Sequence, residues 1–128
     1  MRKSSILMLV LFWVGLSSAV FAEPYDKSVV VAAMRANVAR MGAIKTAVNA
    51  QDFFAAGQAF FDYGKEAAAM QKMDPPKGSK EEWVKIWVSF QDKAFLGVGA
   101  CGERDPAKAL KLLDELAALN KVGHPAFR

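Results

Sequence analysis

The chain has 128 residues, with 17 basic and 13 acidic side chains, a single histidine and a single cysteine. A formal charge of +4 with no basic cluster interleaved with aromatics argues against a nucleic-acid partner. One cysteine cannot close an internal disulfide, so stability has to come from apolar packing, and Cys101 is expected as a small buried residue.

The first segment runs from Met1-Arg2-Lys3 through the apolar stretch Ile6 to Gly15 and on to Val20-Phe21-Ala22 before Glu23. A charged start, a short apolar run and a small-residue cleavage pattern read as a secretory signal peptide over residues 1–22. The run is short for a bilayer span, so export to the periplasm with no membrane attachment after cleavage is expected. Residues 23–128 then form one domain carrying 15 basic and 13 acidic side chains, a net of +2.

From Ser28 to Val48 the larger apolar residues fall at Val30, Met34, Val38, Met41, Ile44 and Val48, the spacing of one helical face. A second helix is expected from the cap Asp52, with Phe53, Phe54, Phe60, Phe61, Ala67, Ala68 and Met70, stopping at Asp74-Pro75-Pro76. Ser79-Lys80-Glu81-Glu82 is a capping box, and the helix behind it carries Trp83, Trp87, Phe90, Ala94, Val98 and Cys101 before Gly102. Asp105-Pro106 opens a fourth, with Leu110, Leu113, Ala117, Asn120, His124 and Phe127 along it. Nothing alternates like a strand, and the connections are short. The expected architecture is all-α: an antiparallel, up-down-up-down four-helix bundle in which the first and fourth helices are neighbours, bringing Met34 towards His124.

The end of the chain carries the most specific pattern. Two cysteines three residues apart with a histidine directly after the second, CxxCH, attach a c-type haem. Here those slots hold Asn120, Gly123 and His124, so thioether attachment is chemically excluded while a candidate axial ligand remains. Pro125 is expected to kink or fray the turn that bears His124, and Gly123 to loosen it.

With these residues in place, the chain resembles the class II cytochromes c, the cytochromes c′, and their b-type relatives on the same bundle. The resemblance spans residues 28–128 and rests on the helix order, Asp74-Pro75-Pro76-Lys77, Asp105-Pro106 and the terminal His124-x-x-Phe127-Arg128. It implies haem binding and electron transfer. In the b-type version haem is held without thioethers by a methionine early in the first helix and a histidine late in the fourth, which here are Met34 and His124. Arg35 and Arg40 are placed to meet haem propionates, and Phe127 to touch the ring. A periplasmic redox partner and a homodimer through the first two helices are further implications. Each residue has a plainer role as well: Met34 and Phe127 as core, His124 as a helix-end residue, and Arg35 and Arg40 as solvated charges.

Two other readings compete. The chain can be a haem-free descendant serving as a structural or protein-interaction module, its interior filled by Phe53, Phe54, Phe60, Phe61, Trp83, Trp87 and Phe90. A cuprous site from Met41, Met70, Met73 and His124 is the weaker one, because no MxxM-and-His cluster on one helix enforces it. No Ser/His/Asp arrangement, P-loop, dinucleotide glycine pattern or HExxH site is present, so an enzyme is not expected.

Overall fold

The computed structural model describes the backbone of residues 23–127 and the side chains of residues 23–123. The expected signal peptide, residues 1–22, lies outside the described residues, as do the side chains of His124 and Phe127. Four helices follow one another: α1 (Lys27–Asn49), α2 (Phe53–Met70), α3 (Lys80–Gly102) and α4 (Pro106–Phe127). Each packs on its chain neighbour and α4 returns to α1, while α1 and α3, like α2 and α4, stand diagonally apart. This is the all-α, up-down-up-down bundle expected from the pattern.

The caps explain where the helices start. Asp52 Oδ1 accepts from Ala55 N at 3.0 Å, Ser79 Oγ from Glu82 N at 3.1 Å, and Asp105 Oδ1 from Lys108 N at 3.0 Å. At α1 the cap is Asp26, one residue pair before the apolar pattern begins; its Oδ1 accepts from the Ser28 amide at 2.9 Å and the Ser28 hydroxyl at 2.7 Å. Those bonds favour the charged carboxylate and hold Asp26 below the ordinary aspartate range.

The turns from α1 to α2 and from α3 to α4 are built alike. After α1, Gln51 N bonds Val48 O at 3.0 Å and Asp52 N bonds Ala47 O at 2.8 Å. After α3, Arg104 N bonds Cys101 O and Asp105 N bonds Ala100 O, both at 3.0 Å. Both are Schellman closures, and in each the left-handed residue is not glycine: Gln51 has φ 59° and Arg104 φ 57°. An aspartate follows each at once as the cap of the next helix, which is why these connections are so short.

The core line of α1 departs from the expected stripe. Val30, Ala33, Asn37, Ile44 and Val48 are buried, Met34 and Met41 are half-buried, and Val38 is 66% exposed. A helical period from Val30 passes through Ala33 and Asn37, so a polar residue occupies the inward position and Val38 faces out. The phenylalanine pairs of α2 split in the same manner. Phe60 is buried against Gly97, where an added Cβ would collide with its ring, whereas Phe54 is 85% exposed. Cys101 is buried, as expected, and burial pushes its thiol upward. Helical backbone continues past Pro125 to Phe127, so α4 does not end at that proline.

Candidate functional site

The end of the bundle that holds the start of α1 and the end of α4 also holds the end of α2 and the start of α3. Glu23 fixes the arrangement: its amide donates to Lys72 O at 3.0 Å, and its carbonyl accepts from Asp74 N at 2.8 Å. The chain ahead of α1 is thereby laced to the α2–α3 connection. Nearby, the indole nitrogen of Trp83 donates to Met70 O at 2.8 Å, joining the first turn of α3 to the last of α2.

Buried rings fill the interior behind this lacing. Trp83 meets Trp87 edge-on with centroids 5.6 Å apart, Trp87 meets Phe90 at 5.3 Å, and Phe90 meets Tyr63 at 6.0 Å. All four side chains are buried. Edge and tilted contacts at these separations suit the ring quadrupoles, so the cluster is packed and oriented. Tyr63 shows the effect on chemistry: burial disfavours the phenolate and drives its acidity far down, while the Arg40 charge opposes this weakly.

The expected ligands are placed as follows. Met34 is half-buried on α1, packed against the core, and Arg35 is exposed. The backbone of residue 124 is helical, and its imidazole, like Phe127, lies outside the described side chains. Asn120, in the first attachment slot, sends Nδ2 to Met41 Sδ at 3.8 Å, which sets the register of α4 on α1. Counting one turn from that contact along each antiparallel helix brings Asn37 level with residue 124; Met34 lies about 4.5 Å nearer the bundle end at ~1.5 Å per residue. Gly123, in the second slot, faces α3, where a Cβ would stand 3.7 Å from Ile86 Cγ2.

Arg40 is committed elsewhere. Its Nη1 donates at 2.8 Å to Asn37 Oδ1, giving the buried amide oxygen a partner within α1, and at 2.8 Å to Glu66 Oε2, tying α1 to α2. Asn37 is 4% exposed. Sequence reasoning missed this unit because a lone asparagine between apolar residues reads as a surface position, although its phase with Val30 and Ala33 marks it as inward. Of the methionines considered for copper, Met70 and Met73 are buried and Met41 touches Asn120.

A second feature lies at the other end. Phe53, Phe54, Phe61, Val98, Cys101 and Arg104 line an open cleft of about 490 Å³ between α2 and α3. Among the described residues no helix is long and apolar enough to cross a membrane.

Fold and site together define the class as an all-α four-helix bundle with an aromatic interior. Comparison with protein-family models, curated proteins and solved structures found no match in any of the three.

Proposed function

We propose that this chain is a haem-free bundle of the cytochrome c′ type that works as a protein-interaction module after export to the periplasm. The observation that carries this reading is the buried ring cluster Trp83, Trp87, Phe90 and Tyr63, which runs from the first turn of α3, at the end of the bundle to which Met34 belongs, to the middle of α3 and α2. A porphyrin held between α1 and α4 needs a slot of its own size there, and interiors packed at native density do not open one without losing their contacts. Arg40, one of two arginines suited to a propionate, is engaged with Glu66 and Asn37. The attachment slots hold residues with other partners, Asn120 towards Met41 and Gly123 towards Ile86. The exposed rings on α2 and α3 supply the kind of surface that an interaction module offers.

The test is a visible absorption titration of purified protein lacking residues 1–22 with haemin, run beside His124→Ala. Neither protein is expected to give a stoichiometric Soret band. A saturable band in the parent that vanishes in the variant would overturn the proposal. It would favour the other reading, a periplasmic electron carrier with haem held non-covalently by His124 and Met34. That alternative draws on the half-buried position of Met34 on the helix adjoining α4.

A further inference from the structure

We infer that the cleft between the start of α2 and the end of α3 docks an apolar, acid-ended helical segment of another protein, with Arg104 receiving its carboxylate. The inference rests on the interaction reading above and names the surface and the partner's chemistry.

Three rings lie open to solvent along this seam. Phe54 is 85% exposed on the first turn of α2, Phe61 is 43% exposed two turns on, and Phe95 is 37% exposed across on α3. Phe61 and Phe95 have centroids 6.0 Å apart, so the apolar surface continues from one helix to the other. Gly57 shapes the floor: an added Cβ would stand 3.4 Å from Cys101 Cβ, so the helices come close and the missing side chain leaves a hollow between Phe54 and Phe61. Isolated exposed rings are ordinary, but contiguous ones around a hollow mark a contact surface.

The charges decide what fits. Lys65 stands over the Phe61 ring and pairs with Asp62 at 3.5 Å, and Glu103 pairs with Lys108 at 3.1 Å. Arg104 faces the cleft with its guanidinium 5.5 Å from the Phe53 ring centre, and no ion pair engages it among the described residues. Its backbone is pinned by the Schellman closure, which roots the side chain at one end of the apolar strip. A guanidinium beside aromatic rings suits a carboxylate attached to an apolar body. Phe54 and Phe61 are seven residues apart on one helix, about 10 Å at ~1.5 Å per residue, which matches apolar anchors at i, i+3 and i+7 of a partner helix. An anionic membrane surface fits less well, because Arg104 is the single cation among the residues lining the cleft, whereas attraction to anionic lipid takes a cluster of basic side chains.

The test uses the purified chain lacking residues 1–22 and two synthetic helical peptides. One carries leucine at i, i+3 and i+7 with glutamates at the end that meets Arg104; the twin has lysines in their place. Binding is read by calorimetric titration, with circular dichroism melts to confirm that each variant is folded. The glutamate peptide is expected to bind the parent and to bind Arg104→Glu and Phe54→Ser at least about tenfold more weakly. Val38→Ser, on the exposed side of α1, is expected to match the parent. The lysine twin is expected to bind poorly and to recover on Arg104→Glu. No saturable binding of the glutamate peptide, or equal binding to Arg104→Glu, overturns the inference. So does self-association that Phe54→Ser abolishes, which would make a second copy the occupant, or ring-dependent partition onto phosphatidylglycerol vesicles. A Soret band in the haemin titration would instead remove the haem-free reading and leave the peptide result standing.

Discussion

Trp87→Ala probes whether the end of the bundle near Met34 is a packed interior or a slot. Trp87 is buried, with ring contacts to Trp83 at 5.6 Å and Phe90 at 5.3 Å. Truncating a buried tryptophan to alanine costs about 3–5 kcal/mol through lost transfer energy and the cavity left behind. Two aromatic contacts, each about 0.5–1.5 kcal/mol beyond area burial, place this site towards the upper part of that range. With a urea slope of about 2 kcal/mol per molar for a domain of this size, a loss near 4 kcal/mol moves the midpoint down by about 2 M. The assay is urea unfolding followed by far-ultraviolet circular dichroism, with Phe54→Ala as the exposed control, expected within about 0.5 kcal/mol of the parent. A Trp87→Ala loss below about 1 kcal/mol would show that the ring is loosely held. Room for a porphyrin would then exist, and the packing case for a haem-free interior would fail.

Two glycines should respond in opposite directions: Gly42→Ala, with open space around the added Cβ, is expected to stabilise by about 0.5–1 kcal/mol in a thermal melt, and Gly97→Ala, whose Cβ meets the Phe60 ring, to destabilise by about 1–3 kcal/mol. Gln51→Gly relieves a left-handed conformation and should raise stability by about 0.5–1 kcal/mol in chemical denaturation. A double-mutant cycle on Arg40→Ala and Glu66→Ala is expected to give a coupling of about 0.5–1 kcal/mol that weakens in high salt, because the pair is a quarter exposed. For Tyr63 the folded state keeps the phenol neutral to higher pH than the unfolded chain does. Its contribution is therefore complete below the ordinary tyrosine value of 10.0 and is lost as pH rises beyond it. Tyr63→Phe should flatten the fall of melting temperature above that point, and an unchanged slope would refute the assignment.

The start of every helix but α1 was legible because a short polar side chain before an apolar run has one efficient use, accepting from orphan amides. Asp52, Ser79 and Asp105 all do so. At α1 the cap Asp26 is not singled out by the sequence, since Ser28 looks equally suitable and instead donates its hydroxyl to that aspartate. The buried line of α1 departs from its stripe of large apolar residues at one point for a physical reason. Following large apolar residues led through Val38, whereas the phase of the helix leads through Asn37, whose amide is made tolerable inside by Arg40 and Glu66. At the candidate site, the loss of both attachment cysteines was plain in Asn120 and Gly123. The partners those residues acquire on α1 and α3 are products of the tertiary register, which no local pattern encodes.

The paired rings of α2 connect interior and surface. Adjacent residues on a helix point about 100° apart, so a Phe-Phe pair cannot bury both members in one core unless the second meets a neighbouring helix. At Phe60-Phe61 the first ring enters against Gly97, and the second lies outside with Phe95, which itself packs over Gly64. The two glycines thus accept rings of opposite helices, Phe60 from α2 into α3 and Phe95 from α3 onto α2. That reciprocal fit draws α2 and α3 together more extensively than any other pair in the bundle. It also leaves Phe61 no interior to occupy, so the same exchange that closes the core creates the exposed strip. A substitution that enlarges Gly64 should therefore act on both at once, displacing Phe95, loosening the α2–α3 seam and weakening peptide binding at the cleft. Unaltered peptide affinity in a destabilised but folded Gly64→Ala variant would separate the surface from the packing beneath it.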